Sequence, residues 1–324
     1  MTDRKISRAD FFKVSAAGLA SLSLAPSISS CTSGTASAAP VRKSLGLQIY
    51  SLGDELYQGS LEANFKRLKE MGYDRFELFG YTIDGKIHGY DMMDFTKMAE
   101  DCGIKSVSTH VNPPSINSEE RLSSPSKWIE TVVKEMSKVA EDHVKMGVRY
   151  LVQPMMPFLA NIPQVLTFCD SLNAIGKVAK EAGIPFGYHH HNMEYAYVSE
   201  DSTEFKLPTA MTSVRNGRRI IDLLMENTDP DLVFLELDAY WTVVGQTDPV
   251  AMLRKYSDRI KLLHVQDDVY VGGSGMMNFK SIFEQFYANN LDTFFVEIHD
   301  TTSGIQFDRA EASAKYLNEA AFVK

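Results

Sequence analysis

The chain is 324 residues long, 44% hydrophobic and 23% charged, with a formal net charge of −9. That length and apolar content suffice to bury a full core, in one large domain or two average ones. The acidic balance argues against nucleic acid as a partner, because such proteins need a positive surface to offset phosphate charge, and no run reaches the roughly 18 apolar residues of a membrane span.

Residues 1–30 read as an export signal rather than a structural helix. Arg4, Lys5, Arg8 and Lys13 form a basic head, Val14 to Ala25 is modestly apolar, and Pro26-Ser27-Ile28-Ser29-Ser30 is made of small residues. Ser7-Arg8-Ala9-Asp10-Phe11-Phe12-Lys13 resembles a twin-arginine signal with Ala9 standing at the second arginine. Ile28-Ser29-Ser30-Cys31 resembles a lipobox. That resemblance implies an exported protein, periplasmic or membrane-anchored as a lipoprotein, touching the membrane only through a lipid anchor at Cys31; the alternative is an ordinary cysteine in a leader. Residues 31–43 carry too little apolar surface to fold and are expected to be a flexible linker. Cys102 and Cys169 fall in helical segments and are expected to be core thiols rather than a disulfide.

From Leu45 onward, short apolar runs alternate with longer amphipathic ones. Leu45–Tyr50 is the first predicted strand, followed by a helix over Leu61–Met71 that Gly72 closes. Arg75–Phe79 precedes a helix over Met92–Cys102, and Ile104–His110 precedes one over Pro125–Met146. Val148–Gln153 and a helix over Pro163–Ala182 come next, then a fifth strand, Ile184 to His191. After a long, mostly polar connection come a helix near Gly217–Glu226 and three strands, Leu232–Asp238, Ile260–Gln266 and Thr293–His299. Helices near Pro249–Tyr256, Phe279–Asn289 and Arg309–Glu319 follow those strands in turn. Eight strand–helix units with no G-x-G-x-x-G turn favour an α/β fold, a closed (β/α)8 TIM barrel over residues 44–324, above a doubly wound open sheet.

The polar residues cluster where such a barrel places its chemistry. Of eight histidines, six (His110, His189, His190, His191, His264 and His299) fall at predicted strand ends. Side chains alternate between lumen and helices along a strand, so His189 and His191 share a face and His190 opposes them. Glu236 and Asp238 share another face; either is a candidate ligand, with Asp238 nearer the tip. Asp238, His264 and Glu297 with a member of the fifth-strand group make an inward set of carboxylates and imidazoles without thiolate, which suits Mn²⁺, Zn²⁺, Co²⁺ or Mg²⁺. The bland alternative is a buried ion-pair network. Gln48 and Glu77 face inward on the first two strands, and Tyr240 and Trp241 are placed to wall a sugar site.

Leu45-Gly46-Leu47-Gln48-Ile49-Tyr50-Ser51-Leu52, Gly187-Tyr188-His189-His190-His191-Asn192-Met193-Glu194-Tyr195, Leu237-Asp238-Ala239-Tyr240-Trp241, His264-Val265-Gln266-Asp267 and Val296-Glu297 together resemble the sugar phosphate isomerase/epimerase superfamily, the xylose isomerase-like TIM barrels. The resemblance implies one divalent metal ion held by Glu194, Asp238, His264 and Glu297. The strand position of the first ligand falls closest to His189, with Glu194 further on. It also implies Glu194 and Glu297 as proton-moving catalytic residues, and Gln48, Glu77, His110, His189, His191, Trp241 and Asp267 around a small-molecule carbohydrate. Gln266 stands where many relatives carry a lysine. The implied chemistry is proton abstraction beside a carbonyl through a metal-stabilised enediolate, ending in isomerisation or epimerisation, or in elimination from a keto sugar or oxidised glycoside. An exported protein rarely meets sugar phosphates, so an unphosphorylated sugar is expected. A non-catalytic sugar-binding lipoprotein and an AP endonuclease-like barrel are the rival readings.

Overall fold

The computed structural model of the protein describes residues 43–204, 207 and 217–324. The expected export signal, Cys31 and all but the last residue of the expected linker lie outside the described residues.

Eight parallel strands close into a barrel. They are β1 (Leu45–Gln48), β2 (Tyr73–Leu78), β3 (Lys105–His110), β4 (Tyr150–Gln153), β5 (Phe186–His189), β6 (Val233–Asp238), β7 (Ile260–Val265) and β8 (Phe294–Val296). Each pairs with its neighbours in sequence, and β8 closes on β1 through Gly46↔Phe295 and Leu47↔Val296. The crossover helices are α1 (Leu61–Met71), α2 (Met92–Asp101), α3 (Pro125–Lys145), α4 (Ile162–Ala182), α5 (Ile220–Asn227), α6 (Pro249–Lys255), α7 (Phe279–Ala288) and α8 (Gln306–Glu319).

Local chemistry sets where these helices begin and end. The Ser60 hydroxyl accepts from the Ala63 N–H to start α1, and Asn161 does the same for Gln164 at α4. Gly72, left-handed with φ 113°, ends α1. Each helix turns one apolar stripe inward: in α3, Trp128, Val132, Met136 and Val139 recur at helical spacing and are buried. No helix among the described residues is long and apolar enough to cross a membrane. Cys102 and Cys169 are buried free thiols.

The main core lies between strands and helices, with residues such as Leu47, Phe76, Leu151 and Leu235 meeting the helix stripes. Tyr150, Val152, Phe234, Leu262 and Phe295 form a second apolar cluster. They take alternate positions on their strands, in phase with His264 and Asp238, so they fill the barrel lumen beneath the polar rim. Two glycines make room for this floor. A Cβ on Gly187 would stand 2.5 Å from Cζ of Phe234, and one on Gly46 would stand 2.6 Å from Cδ1 of Phe295.

Several short elements carry no clear period in the sequence. A 3-10 segment spans Ile49–Tyr57, and Tyr81–Thr82, Lys86–Ile87 and Tyr90–Asp91 form a small antiparallel sheet after β2. A one-turn helix, Ala239–Val244, follows β6 directly. The last strand is shorter than expected, ending at Val296 rather than His299.

Candidate functional site

Above the apolar floor, the lumen is filled by carboxylates and imidazoles that are all buried. The lower level is centred on Glu77. Its Oε2 accepts from Gln48 Nε2 at 2.7 Å and lies 3.0 Å from His110 Nε2 and 2.6 Å from His264 Nε2. His110 Nε2 also lies 2.7 Å from Glu236 Oε2, which is in turn 3.2 Å from His189 Nδ1. One step nearer the rim, His264 Nδ1 lies 2.9 Å from Glu297 Oε2 and 3.9 Å from Asp238 Oδ2. The rings of His189 and His264 are 4.4 Å apart.

The strand ends orient these groups. Asp238 is the last residue of β6 and caps the helix that follows: its Oδ1 accepts from the Trp241 N–H at 2.7 Å, leaving Oδ2 for the lumen. Glu297 lies just past β8, where its N–H still donates to the Val265 carbonyl. His189, the final residue of β5, projects inward opposite Glu236.

Two sets of four side chains bring ligand atoms within 4.8 Å of one another: His110, His189, Glu236 and His264, and, nearer the rim, His189, Asp238, His264 and Glu297. Both nitrogens of His189, Oδ2 of Asp238, Oε1 of Glu236 and Oε1 of Glu77 have no hydrogen-bond partner although fully buried. Buried polar atoms without partners cost free energy comparable to a lost hydrogen bond or more. Two imidazoles and two carboxylates fit a divalent cation, whose charge the two carboxylates balance. Ion pairs reach two of those atoms, His189 Nδ1 at 3.2 Å from Glu236 and Asp238 Oδ2 at 3.9 Å from His264, without hydrogen-bond geometry.

Electrostatics push the carboxylates apart. Burial would raise the Glu77 carboxyl, but His110 and His264 outweigh it and hold Glu77 below its ordinary value. Burial and the charge of Glu77 raise Glu236. Burial and Glu297 raise Asp238 well above its ordinary value, while His264, against burial, keeps Glu297 low. Burial would lower His110, but Glu77 and Glu236 bring it up to about 9. His189 is driven well below its ordinary value by burial and by the neighbouring histidines. These are the directions for the bare cluster, and a bound cation would take the place of its protons.

Three expectations change. Glu194, expected as a ligand and proton carrier, stands in neither four-residue set. Its carboxylate accepts from the Tyr188 hydroxyl and, at 2.8 Å, from the His191 N–H, because the chain leaves β5 at His189 and turns back through the 3-10 turn Met193–Tyr195. His189 stands in both sets. Asp267, expected at the substrate, is occupied in ordering its own loop: it accepts from the N–H groups of Asp268, Gly272 and Ser274 and from the Ser274 hydroxyl. Glu236, passed over for Asp238, joins the lower set.

Gln48, Glu77, His110 and His189 gather in the lumen. His191 and Trp241 stand at the rim with ring centroids 5.7 Å apart. Tyr240 and His299 complete that aromatic wall, stacked at 5.5 Å and 15°, and Gln266 Nε2 lies 2.8 Å from His299 Nδ1. His299 was legible from its sharing a strand face with Glu297.

The family model for the xylose isomerase-like TIM barrel matches residues 65–320. The chain belongs to that family. A sugar phosphate isomerase/epimerase from Parabacteroides distasonis is 43% identical, with a TM-score of 0.77 over 87% of this chain and 100% of its own. A second sugar phosphate isomerase/epimerase from the same organism is 36% identical, with a TM-score of 0.79 over 89% of this chain and 100% of its own. An inosose dehydratase from Clostridium tetani is 30% identical over 177 residues, 47% of this chain and 53% of that protein. The chain spans about half, or less, of the length of the curated relatives it matches. The family is one of enzymes, and its members near this chain include both dehydratases and isomerase/epimerases.

Proposed function

We propose that this protein is a divalent-metal-dependent enzyme that removes a proton beside the carbonyl of an unphosphorylated keto sugar or keto polyol. The observation that carries this reading is the rim set His189, Asp238, His264 and Glu297, with Asp238 Oδ2 and both His189 nitrogens buried without hydrogen-bond partners. A cation held there would supply Lewis acidity at the carbonyl and its neighbouring hydroxyl. Imidazole ligands favour Mn²⁺, Co²⁺ or Zn²⁺ over Mg²⁺.

The chain's own groups divide the proton work. Glu297, at 9% exposure the most open carboxylate of the cluster, serves as the base. His110, whose Nε2 lies 2.7 Å from Glu236 Oε2, serves as the proton reservoir for a departing oxygen. Trp241, His191, Tyr240 and His299 offer ring faces to the apolar side of a sugar. Among the described residues bonded to or stacked on this cluster, none is Lys or Arg, which supports a substrate without phosphate. Export through the leader, with or without lipidation at Cys31, belongs to the same proposal.

Elimination is the outcome we favour, since the curated relatives are inosose dehydratases. Epimerisation is the second outcome, favoured by the description of the Parabacteroides distasonis relatives. Proton NMR of keto sugars and keto polyols incubated in D₂O with metal-loaded protein tests both. Loss of the α-hydrogen signal with a new enone supports elimination, and exchange with a new stereoisomer supports epimerisation. No exchange in any keto sugar or polyol counts against the proposal as a whole.

A further inference from the structure

The polar lumen side chains fall into layers, because alternate strands of a barrel contribute one residue each to a level. Gln48, His110, His189 and His264 come from β1, β3, β5 and β7. Glu77, Glu236 and Asp238 come from β2 and β6, and Glu297 from just past β8. Glu236 and Asp238 lie two residues apart on one strand, about 7 Å along it. The imidazoles therefore lie between two carboxylate pairs, Glu77 with Glu236 toward the floor and Asp238 with Glu297 toward the rim.

His264 spans that sandwich. Its Nδ1 lies 2.9 Å from Glu297 Oε2 and 3.9 Å from Asp238 Oδ2, while its Nε2 lies 2.6 Å from Glu77 Oε2. Each nitrogen faces one pair, and a neutral imidazole has one proton to place. With the proton on Nε2, the ring donates to Glu77 and leaves the Nδ1 lone pair for an ion beside Asp238 and Glu297. With the proton on Nδ1, the lone pair of Nε2 would point at a carboxylate oxygen 2.6 Å away, two acceptors facing each other.

Glu77 is held to receive that bond. Its Oε2 also accepts from Gln48 Nε2 at 2.7 Å, and Gln48 Oε1 accepts from the Tyr50 N–H at 3.0 Å, which fixes the orientation of the amide. His110 Nε2, 3.0 Å from Glu77 Oε2 and 2.7 Å from Glu236 Oε2, ties the two lower carboxylates together. Glu77 is fully buried, so no solvent competes for these contacts. A carboxylate oxygen gathered by Gln48, His110 and His264 keeps one place, and the ring bonded to it keeps one orientation.

We propose that Glu77 is a positioning residue for the cation: it takes the Nε2–H of His264 and so makes Nδ1 the nitrogen that binds the ion at the rim. The assignment rests on the rim cation of the reading above and adds to it the ligating atom and the group that orients it. An ion in the lower set, beside His110 and Glu236, would instead take His264 through Nε2, which lies 3.4 Å from Glu236 Oε2.

The test reads the ligating nitrogen directly. The full chain, labelled with ¹⁵N-histidine, is loaded with ¹¹³Cd²⁺, and long-range proton–nitrogen spectra show which nitrogen of His264 couples to the metal. Coupling at Nδ1 beside a protonated Nε2 is expected. Coupling at Nε2 would overturn the proposal, moving the ion to the lower set while the protein remains a metal protein. No bound cadmium, or bound cadmium without coupling to His264, would sink the rim reading and the proposal with it.

Chelator-competition titration is the second measurement. Glu77→Gln should bind Cd²⁺ about 10–100-fold more weakly and still take one ion per chain at saturation. Glu194→Gln removes the charge of a buried carboxylate whose bonds go to Tyr188 and the His191 N–H, and it should keep the wild-type affinity. Unchanged affinity in Glu77→Gln, loss of the ion even at saturation, or equal weakening in both variants would overturn the proposal. If Glu77→Gln does not fold, the wild-type spectrum decides alone.

Discussion

His190 holds the backbone of Asp238. Its Nε2 accepts the Asp238 N–H at 3.2 Å, while its Nδ1 lies 3.1 Å from the carbonyl oxygen of His191. The β5–β6 ladder ends at the pair Glu236↔His189, so this imidazole takes over where the strand hydrogen bonds stop. One neutral tautomer, with the proton on Nδ1, satisfies both contacts. Burial keeps it neutral by lowering its pKa to about 3.

His190 is therefore a positioning residue for Asp238. His190→Ala should weaken metal binding by about 10–100-fold, the usual effect of removing an outer-shell partner. Chelator-competition titration of the metal checks this. An unchanged dissociation constant would show that Asp238 is held by other means.

Glu194 and Glu297 should separate cleanly. Because Glu194 is bonded to Tyr188 and to the His191 N–H, Glu194→Gln should keep the metal and lower stability by about 1–3 kcal/mol. Glu297→Gln should lose metal with little change in the unfolding midpoint of the metal-free protein. Elemental analysis and urea unfolding of both variants decide it. A metal-free Glu194→Gln would return Glu194 to the ligand set.

The glycine beneath the cluster should be intolerant. Gly187→Ala puts a methyl group 2.5 Å from Cζ of Phe234, and overpacking of this kind costs about 1–3 kcal/mol. Differential scanning calorimetry should show a lower midpoint, and an unchanged one would mean that the barrel floor has slack.

Stability should fall on mild acidification through His143, on the helix side of the barrel. Its Nδ1 lies 2.7 Å from the Val139 carbonyl oxygen and its Nε2 lies 3.1 Å from the Thr109 hydroxyl. Burial lowers its pKa from 6.5 to about 4, against the Val139 carbonyl and Asp142, with Lys138 adding to the fall. The unfolded chain takes up this proton as pH drops below 6.5, whereas the folded protein does so only near about 4. The folded state therefore loses up to about 1.4 kcal/mol per pH unit across that window. Urea unfolding at pH 7.5 and pH 5 should show a loss about 2 kcal/mol larger in the wild type than in His143→Gln. Equal losses would remove His143 from the account.

Much of this was legible in the sequence, and the limits have physical causes. The alternation of apolar runs and amphipathic stretches gave α1 at its observed bounds and all eight barrel strands to within a few residues, because burial imposes a period on each. Facing followed from the same alternation: His189 and His191 turn toward the lumen and His190 away. Glu194 falls outside both four-residue sets, since a motif does not say where its strand stops and the ladder bonds end at His189. Glu236 was visible as an inward residue, but preference for the strand tip passed it over. The stacking of Tyr57 on His88 had no signal, since two-residue strands and a kinked 3-10 segment have no period to detect.

The central claim is one divalent cation at the rim, held by His189, Asp238, His264 and Glu297. Elemental analysis of the purified full chain beside Asp238→Ala and His264→Ala tests it most directly. The account predicts one metal ion per chain in the wild type and none in either variant, with all three folded by circular dichroism. A wild type without metal, or variants that retain it, would contradict the claim.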